Sequence, residues 1–154
     1  MRRNPAVFAI LVGGGLAGLL DISYAVVYSG IHGVPAQRIL QSVASGLLGK
    51  AAFDGGIATA ALGLLLHFLM MMLIAAVYYA ASTRIGLLTR RAVPMGLLYG
   101  VCVFLVMRLV VLPLSAYPFP VHLHPVVPLI PEVIAQSCVG LIIALAVRSA
   151  RRSL

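Results

Sequence analysis

Charged side chains are nearly missing from this chain: they make up 9% of its 154 residues, and only Asp21, Asp54 and Glu132 are acids. With 62% hydrophobic residues and a mean hydropathy of +1.12, that scarcity excludes a water-soluble domain, whose core needs far less apolar surface. Tryptophan is absent, and the two cysteines, Cys102 and Cys138, fall at unlike depths of separate apolar runs. They read as small apolar packers and not as a disulfide. No P-loop, GxSxG, HExxH, CxxCH or dinucleotide fingerprint occurs, so enzymatic chemistry has no nucleophile and base to rest on, and no cofactor is expected. Gly13-Gly14-Gly15 lies inside an apolar run with no strand before it, which excludes a phosphate loop.

What is present is long hydrophobic runs. A spanning helix needs about 20 mainly apolar residues, and windows at 6–28, 57–81, 93–112 and 132–147 meet or approach that length. Lipid leaves backbone hydrogen bonds unsatisfied, so each window is expected to be helical, and the glycine-rich, non-alternating pattern argues against a barrel. The expected fold is an all-α membrane protein: one domain over residues 1–154, a four-transmembrane-helix bundle. The first run has Arg2 and Arg3 before it and Ser23-Tyr24-Ala25 near its end, as a signal peptide would, but its length and Asp21 favour a retained span.

Basic residues set the orientation. Arg2, Arg3, Arg84, Arg90, Arg91, Arg148, Arg151 and Arg152 lie on one side of such a bundle, and only Arg38 and Lys50 lie on the other. By the positive-inside rule both termini are cytoplasmic. The pI near 10.4 then reflects topology and attraction to the anionic bilayer surface, and because the charges sit at helix ends no nucleic-acid partner is expected.

Between the first two windows, Ile39, Leu40, Val43, Leu47 and Leu48 recur at helical spacing among Gln37, Arg38, Gln41, Ser42 and Ser45, which predicts a short interfacial helix in the first outer loop. Pro113, Pro118, Pro120, Pro125, Pro128 and Pro131 predict a stiff, extended, proline-rich outer cap. Tyr24, Tyr28, Tyr78 and Tyr79 suit the two aromatic belts. The pairs Gly14/Gly18 and Gly96/Gly100 are expected to hold the bundle together. Ile57-Ala58 with Gly63-Leu64 is echoed by Ile134-Ala135 with Gly140-Leu141, as two similar hairpins would be.

The polar residues within the windows are the candidate site, because an ionised side chain at the bilayer centre costs at least about 2.5 kcal/mol. Asp21 and Arg108 each lie about fifteen residues into their runs, roughly 22 Å deep, and are expected to pair. Asp21 shares a face with Gly14, Ala17 and Gly18 and should point inward. Glu132 and Gln136, one turn apart, would complete an outward-facing polar recess, although Glu132 also suits the first turn of a helix. His67, near the midplane on a face with Ala60, Gly63 and Met71, is either a proton-accepting group beneath the recess or a neutral histidine bonded to a carbonyl. Asp54 is expected to cap a helix. His122 and His124, two apart in an extended segment, form with Glu132 a weak candidate metal site.

Val34-Pro35 with Arg38, His67-Phe68 followed by 75–78, Pro113-Leu114, and Glu132 with Gln136 resemble the YagU-like family of bacterial inner-membrane proteins. The chain departs from the family's pattern by carrying Gln136, and Arg108 or Met107, where the family has histidines. The resemblance implies a multi-pass protein of the bacterial inner membrane without settled activity, and through the family's association with survival in acid it implies proton or ion handling. Three readings are open. The first is ion, proton or small-ligand permeation, sensing or binding through the recess, as a homo-oligomer if one bundle is too narrow. The second is an accessory or assembly subunit of a larger membrane complex. The third is a metal or haem carrier using His67, His122 and His124.

Overall fold

The computed structural model describes residues 4–120 and 129–152, and every regular element among them is a helix. In chain order these are α1 (Pro5–Ile31), α2 (Ala36–Leu48), a turn of 3-10 helix (Gly49–Phe53), α3 (Gly56–Arg84), the single turn α4 (Leu87–Arg90), α5 (Ala92–Leu114) and α6 (Ile130–Arg152). Of these, α1, α3, α5 and α6 are long and apolar enough to cross a membrane, with 27, 29, 23 and 23 residues. Each extends beyond its predicted window at both ends. The predicted helix of the first loop is α2, which stops at Gly49, where φ of 62° is natural only for a residue without Cβ.

Local chemistry sets the ends. Asn4 caps α1 by accepting the Ala6 N–H at 3.0 Å, with Pro5 as the first helical residue. Asp54 does not cap α3, contrary to expectation: the cap position belongs to Gly55, and Asp54 is exposed in the preceding turn. That turn is held instead by Thr59, whose hydroxyl donates to Ala52 O at 2.6 Å, and by buried Gln41, whose Nε2 donates to Gly56 O at 3.0 Å.

Small residues decide which helices touch. On α3 the buried stripe is Ala60, Gly63, His67, Met71, Ala75, Tyr78 and Ser82, while Leu65, Leu69, Leu73 and Val77 face outward. Apolar residues face out because lipid is as apolar as leucine, so helices associate through close backbone approach instead. A Cβ on Gly14 would meet Met71 O at 3.0 Å, and one on Gly18 would meet the Phe68 ring at 3.0 Å, which joins α1 to α3. Gly13 sits against Ala146 and Ile143 of α6, and Gly96 and Gly100 lie against Gly140, Gln136 and Ser137 of that helix. Around the bundle the order is therefore α3, α1, α6, α5. A turn of π-helix at Ala9–Gly13 interrupts α1 immediately before Gly14, which has α3 as its neighbour where Gly13 has α6.

The fourth side is open. Helices α3 and α5 share no extended backbone contact and meet through side chains near the basic end. There the Tyr99 hydroxyl donates to Ile74 O at 2.7 Å, and its ring packs edge-on against Tyr78 at 4.8 Å. Tyr78 is no belt residue: it is 1% exposed and donates to Leu88 O of α4 at 3.1 Å. Cys102 and Cys138 also depart from expectation, as exposed free thiols on the outward surface. The echoed glycines pack differently, Gly63 against Leu40 and Ala44 of α2 but Gly140 against Gly96 and Gly100 of α5, so the sequence echo is not a repeat of packing.

A side chain at Gly100 or Gly140 has only backbone to displace, so Gly100→Leu and Gly140→Leu should each destabilise the bundle by about 1–3 kcal/mol or more. Gly15→Ala, where nothing lies within 4 Å, should cost little. Thermal unfolding in detergent checks both.

Candidate functional site

The seam between α3 and α5 encloses a cavity of about 600 Å³. Its walls are mostly apolar, with Leu66, Leu69, Met70 and Leu73 from α3 and Val103 and Met107 from α5. Helix α2 roofs it with Ser42, Val43, Gly46 and Leu47. The roof is tied to the far wall, because Ala116 N just beyond α5 donates to Gly46 O at 2.9 Å. Tyr117 stands beside this junction, and burial pushes its phenol above the ordinary tyrosine range, with Arg108 opposing and Glu132 adding to the rise.

The spanning helices contribute three polar side chains to its lining, Asp21 from α1, His67 from α3 and Gln136 from α6. Their placement is set by the packing, since the α1 face that carries Gly14 and Gly18 to α3 carries Asp21 one turn on. His67 is 6% exposed. Its Nε2 lies 2.9 Å from Gly18 O, and because a carbonyl only accepts, Nε2 carries the hydrogen. In the neutral ring Nδ1 is then an acceptor, and it faces Asp21 Oδ2 at 4.0 Å. The histidine thus bonds a carbonyl and also stands beside a carboxylate. Gln136 Oε1 is buried with no hydrogen-bond partner.

Arg108 does not pair with Asp21. It forms an ion pair with Glu132 of α6 and lays its guanidinium over Phe104 at 5.5 Å from the ring centre. The bundle order puts α6 between α1 and α5, so the carboxylate available to Arg108 is the one on α6. Arg108 also belongs to a turn of π-helix, Met107–Val111, which shifts its direction from that of a regular helix. Glu132 does lie in the first turn of α6, as expected, and serves both helices at once.

The five predicted residues therefore divide into two groups: Asp21, His67 and Gln136 line the cavity, and Arg108 with Glu132 forms a separate clasp between α5 and α6. His122 and His124 lie outside the described residues, and among the described residues no three His, Cys, Asp or Glu side chains gather to hold a metal ion. The roof residues Ser42, Gly46, Ser115 and Tyr117 were not anticipated. The amphipathic pattern of α2 announced a helix, but nothing in the pattern said what the helix covers. The Ser42 and Ser115 hydroxyls donate to Ile39 O and Leu112 O at 2.7 and 2.8 Å, so neither is left to act on a ligand as a donor.

Removing either member of the Arg108–Glu132 pair breaks the ion pair that joins α5 to α6. Arg108→Gln and Glu132→Gln should each destabilise more than the double variant does, with a coupling of about 1 kcal/mol or more. Asp21→Asn and Arg108→Gln should add to within about 0.5 kcal/mol. Unfolding of the four proteins of each cycle in detergent checks this.

No protein-family model, curated protein or solved structure matches the chain.

Proposed function

We propose that the chain is a non-catalytic, multi-pass protein of the bacterial inner membrane, with both termini cytoplasmic, that binds a small amphiphilic molecule in the α3–α5 cavity. The observation that carries this reading is a mainly apolar space of about 600 Å³ whose lining includes Asp21, His67 and Gln136 from three of the spanning helices. Binding sites for small molecules have that size and that balance of apolar wall to a few placed polar atoms. The same recess is where permeation or sensing would begin, and the YagU-like resemblance, with its link to acid survival, agrees with a site that holds a proton.

The open seam also favours a second reading, an accessory subunit whose partner helix fills the slot beside the exposed Leu69 and Leu73. Haem carriage through His67 has less to support it, because its Nε2 is engaged by Gly18 O.

Val103→Trp would occupy the cavity without adding charge. Native mass spectrometry of the protein extracted in mild detergent should show a small molecule on the unmodified chain and not on this variant. A foreign subunit in place of the small molecule would favour the accessory reading. For orientation, alkaline phosphatase fused after Ser149 should be inactive and fused at Tyr117 active. An active fusion after Ser149 would overturn the cytoplasmic C-terminus.

A further inference from the structure

Two hydrogen-bond acceptors stand together in the cavity, the Asp21 carboxylate and His67 Nδ1. His67 Nε2–H is committed to Gly18 O, and the hydroxyls of Ser42 and Ser115 to backbone carbonyls. Arg108 is engaged by Glu132 and Phe104. Two facing acceptors 4.0 Å apart, Nδ1 and Oδ2, are reconciled most simply by a proton that resides on one of them.

We infer that the cavity takes a lipophilic ammonium ion, which exchanges with a single proton held between Asp21 and His67. This rests on the binding reading given above and names its ligand class. An ammonium group brings donors for the unmet acceptors and a positive charge for Asp21. A neutral alcohol brings a single donor and no charge. A carboxylate or phosphate brings acceptors and negative charge to a place already rich in both, where it would be repelled. The apolar walls and the seam toward the exposed Leu69 and Leu73 require the rest of the ligand to be hydrocarbon.

The exchange balances. With the cavity empty of ligand, the pair holds one proton and is electrically neutral. The arriving ammonium bonds to the Asp21 carboxylate, the proton leaves to water, and the site is neutral again with His67 uncharged. The titratable and charged groups in electrostatic reach of Asp21 are His67 on α3, Glu132 on α6 and Tyr24 on its own helix. Glu132 is balanced by Arg108 of α5, and α2 presents only Ser42 as a polar side chain to the cavity. The proton therefore belongs to Asp21 and His67.

The test uses the intact chain in nanodiscs of zwitterionic lipid, with empty nanodiscs as the blank. Three probes of one chain length, n-octylammonium, 1-octanol and octanoate, are titrated calorimetrically in buffers of different ionisation enthalpy, on either side of neutral pH. Octylammonium should bind most tightly, bind better as pH rises, and release one proton per molecule. Asp21→Asn should weaken it by about tenfold or more, the scale of one charge-assisted hydrogen bond, and weaken octanol less. Should Asp21→Asn fail to fold, the pH dependence and proton release of the unmodified protein still decide the matter. Octanoate binding as tightly as octylammonium, or octylammonium binding that ignores pH, would overturn the inference while leaving the cavity reading intact. If none of the three probes binds, both readings fall.

Discussion

Close approach of helix backbones at glycine is the constraint on which the rest of this structure depends. Gly14 and Gly18 bring α1 against α3, Gly13 brings it against α6, and Gly96, Gly100 and Gly140 bring α5 and α6 into contact. Where no such residues face each other, between α3 and α5, the helices stay apart and the cavity forms. Two tyrosines close the seam at the basic end, and α2 closes it at the other. The cavity is therefore a consequence of where the small residues lie. In a bilayer there is no hydrophobic force to collapse it, because lipid chains wet apolar walls as well as other side chains would.

The polar groups are arranged to limit the cost of placing them in such a bundle. Arg108 and Glu132 neutralise each other between α5 and α6, which leaves the cavity itself free of both charges. What remains is a carboxylate that faces an imidazole fixed by Gly18 O. Gly18 serves in two ways, since its missing Cβ admits Phe68 and its carbonyl fixes the tautomer of His67. Backbone packing and proton chemistry are joined at that residue.

The long helices, α2, and the inward faces of α1 and α3 were legible in the sequence because each depends on one helix at a time: apolar length, helical spacing, and small residues aligned with Asp21 and His67. Azimuth and neighbour order were not, because they belong to pairs of helices. Hence Arg108 was assigned to Asp21 when α6 stands between their helices, and Tyr78 was placed in a belt when its ring turns inward to Tyr99 and Leu88. Turns of π-helix at 9–13 and 107–111 shift the facing of the residues beyond them, and neither has a signature in composition. Asp54 was read from a preference at helix starts, but the cap position is Gly55, and Thr59 and Gln41 hold the turn through its carbonyls.

The chemistry of the cavity turns on the direction in which His67 presents its nitrogens, and nitrogen NMR of the protein labelled in histidine reads that directly. In the neutral ring, His67 should show a protonated Nε2 and a bare Nδ1, with the Nδ1 resonance moving when Asp21 is replaced by Asn. A neutral His67 protonated on Nδ1 would make it a donor to Asp21, leave the carboxylate satisfied from within, and contradict the acceptor-rich cavity.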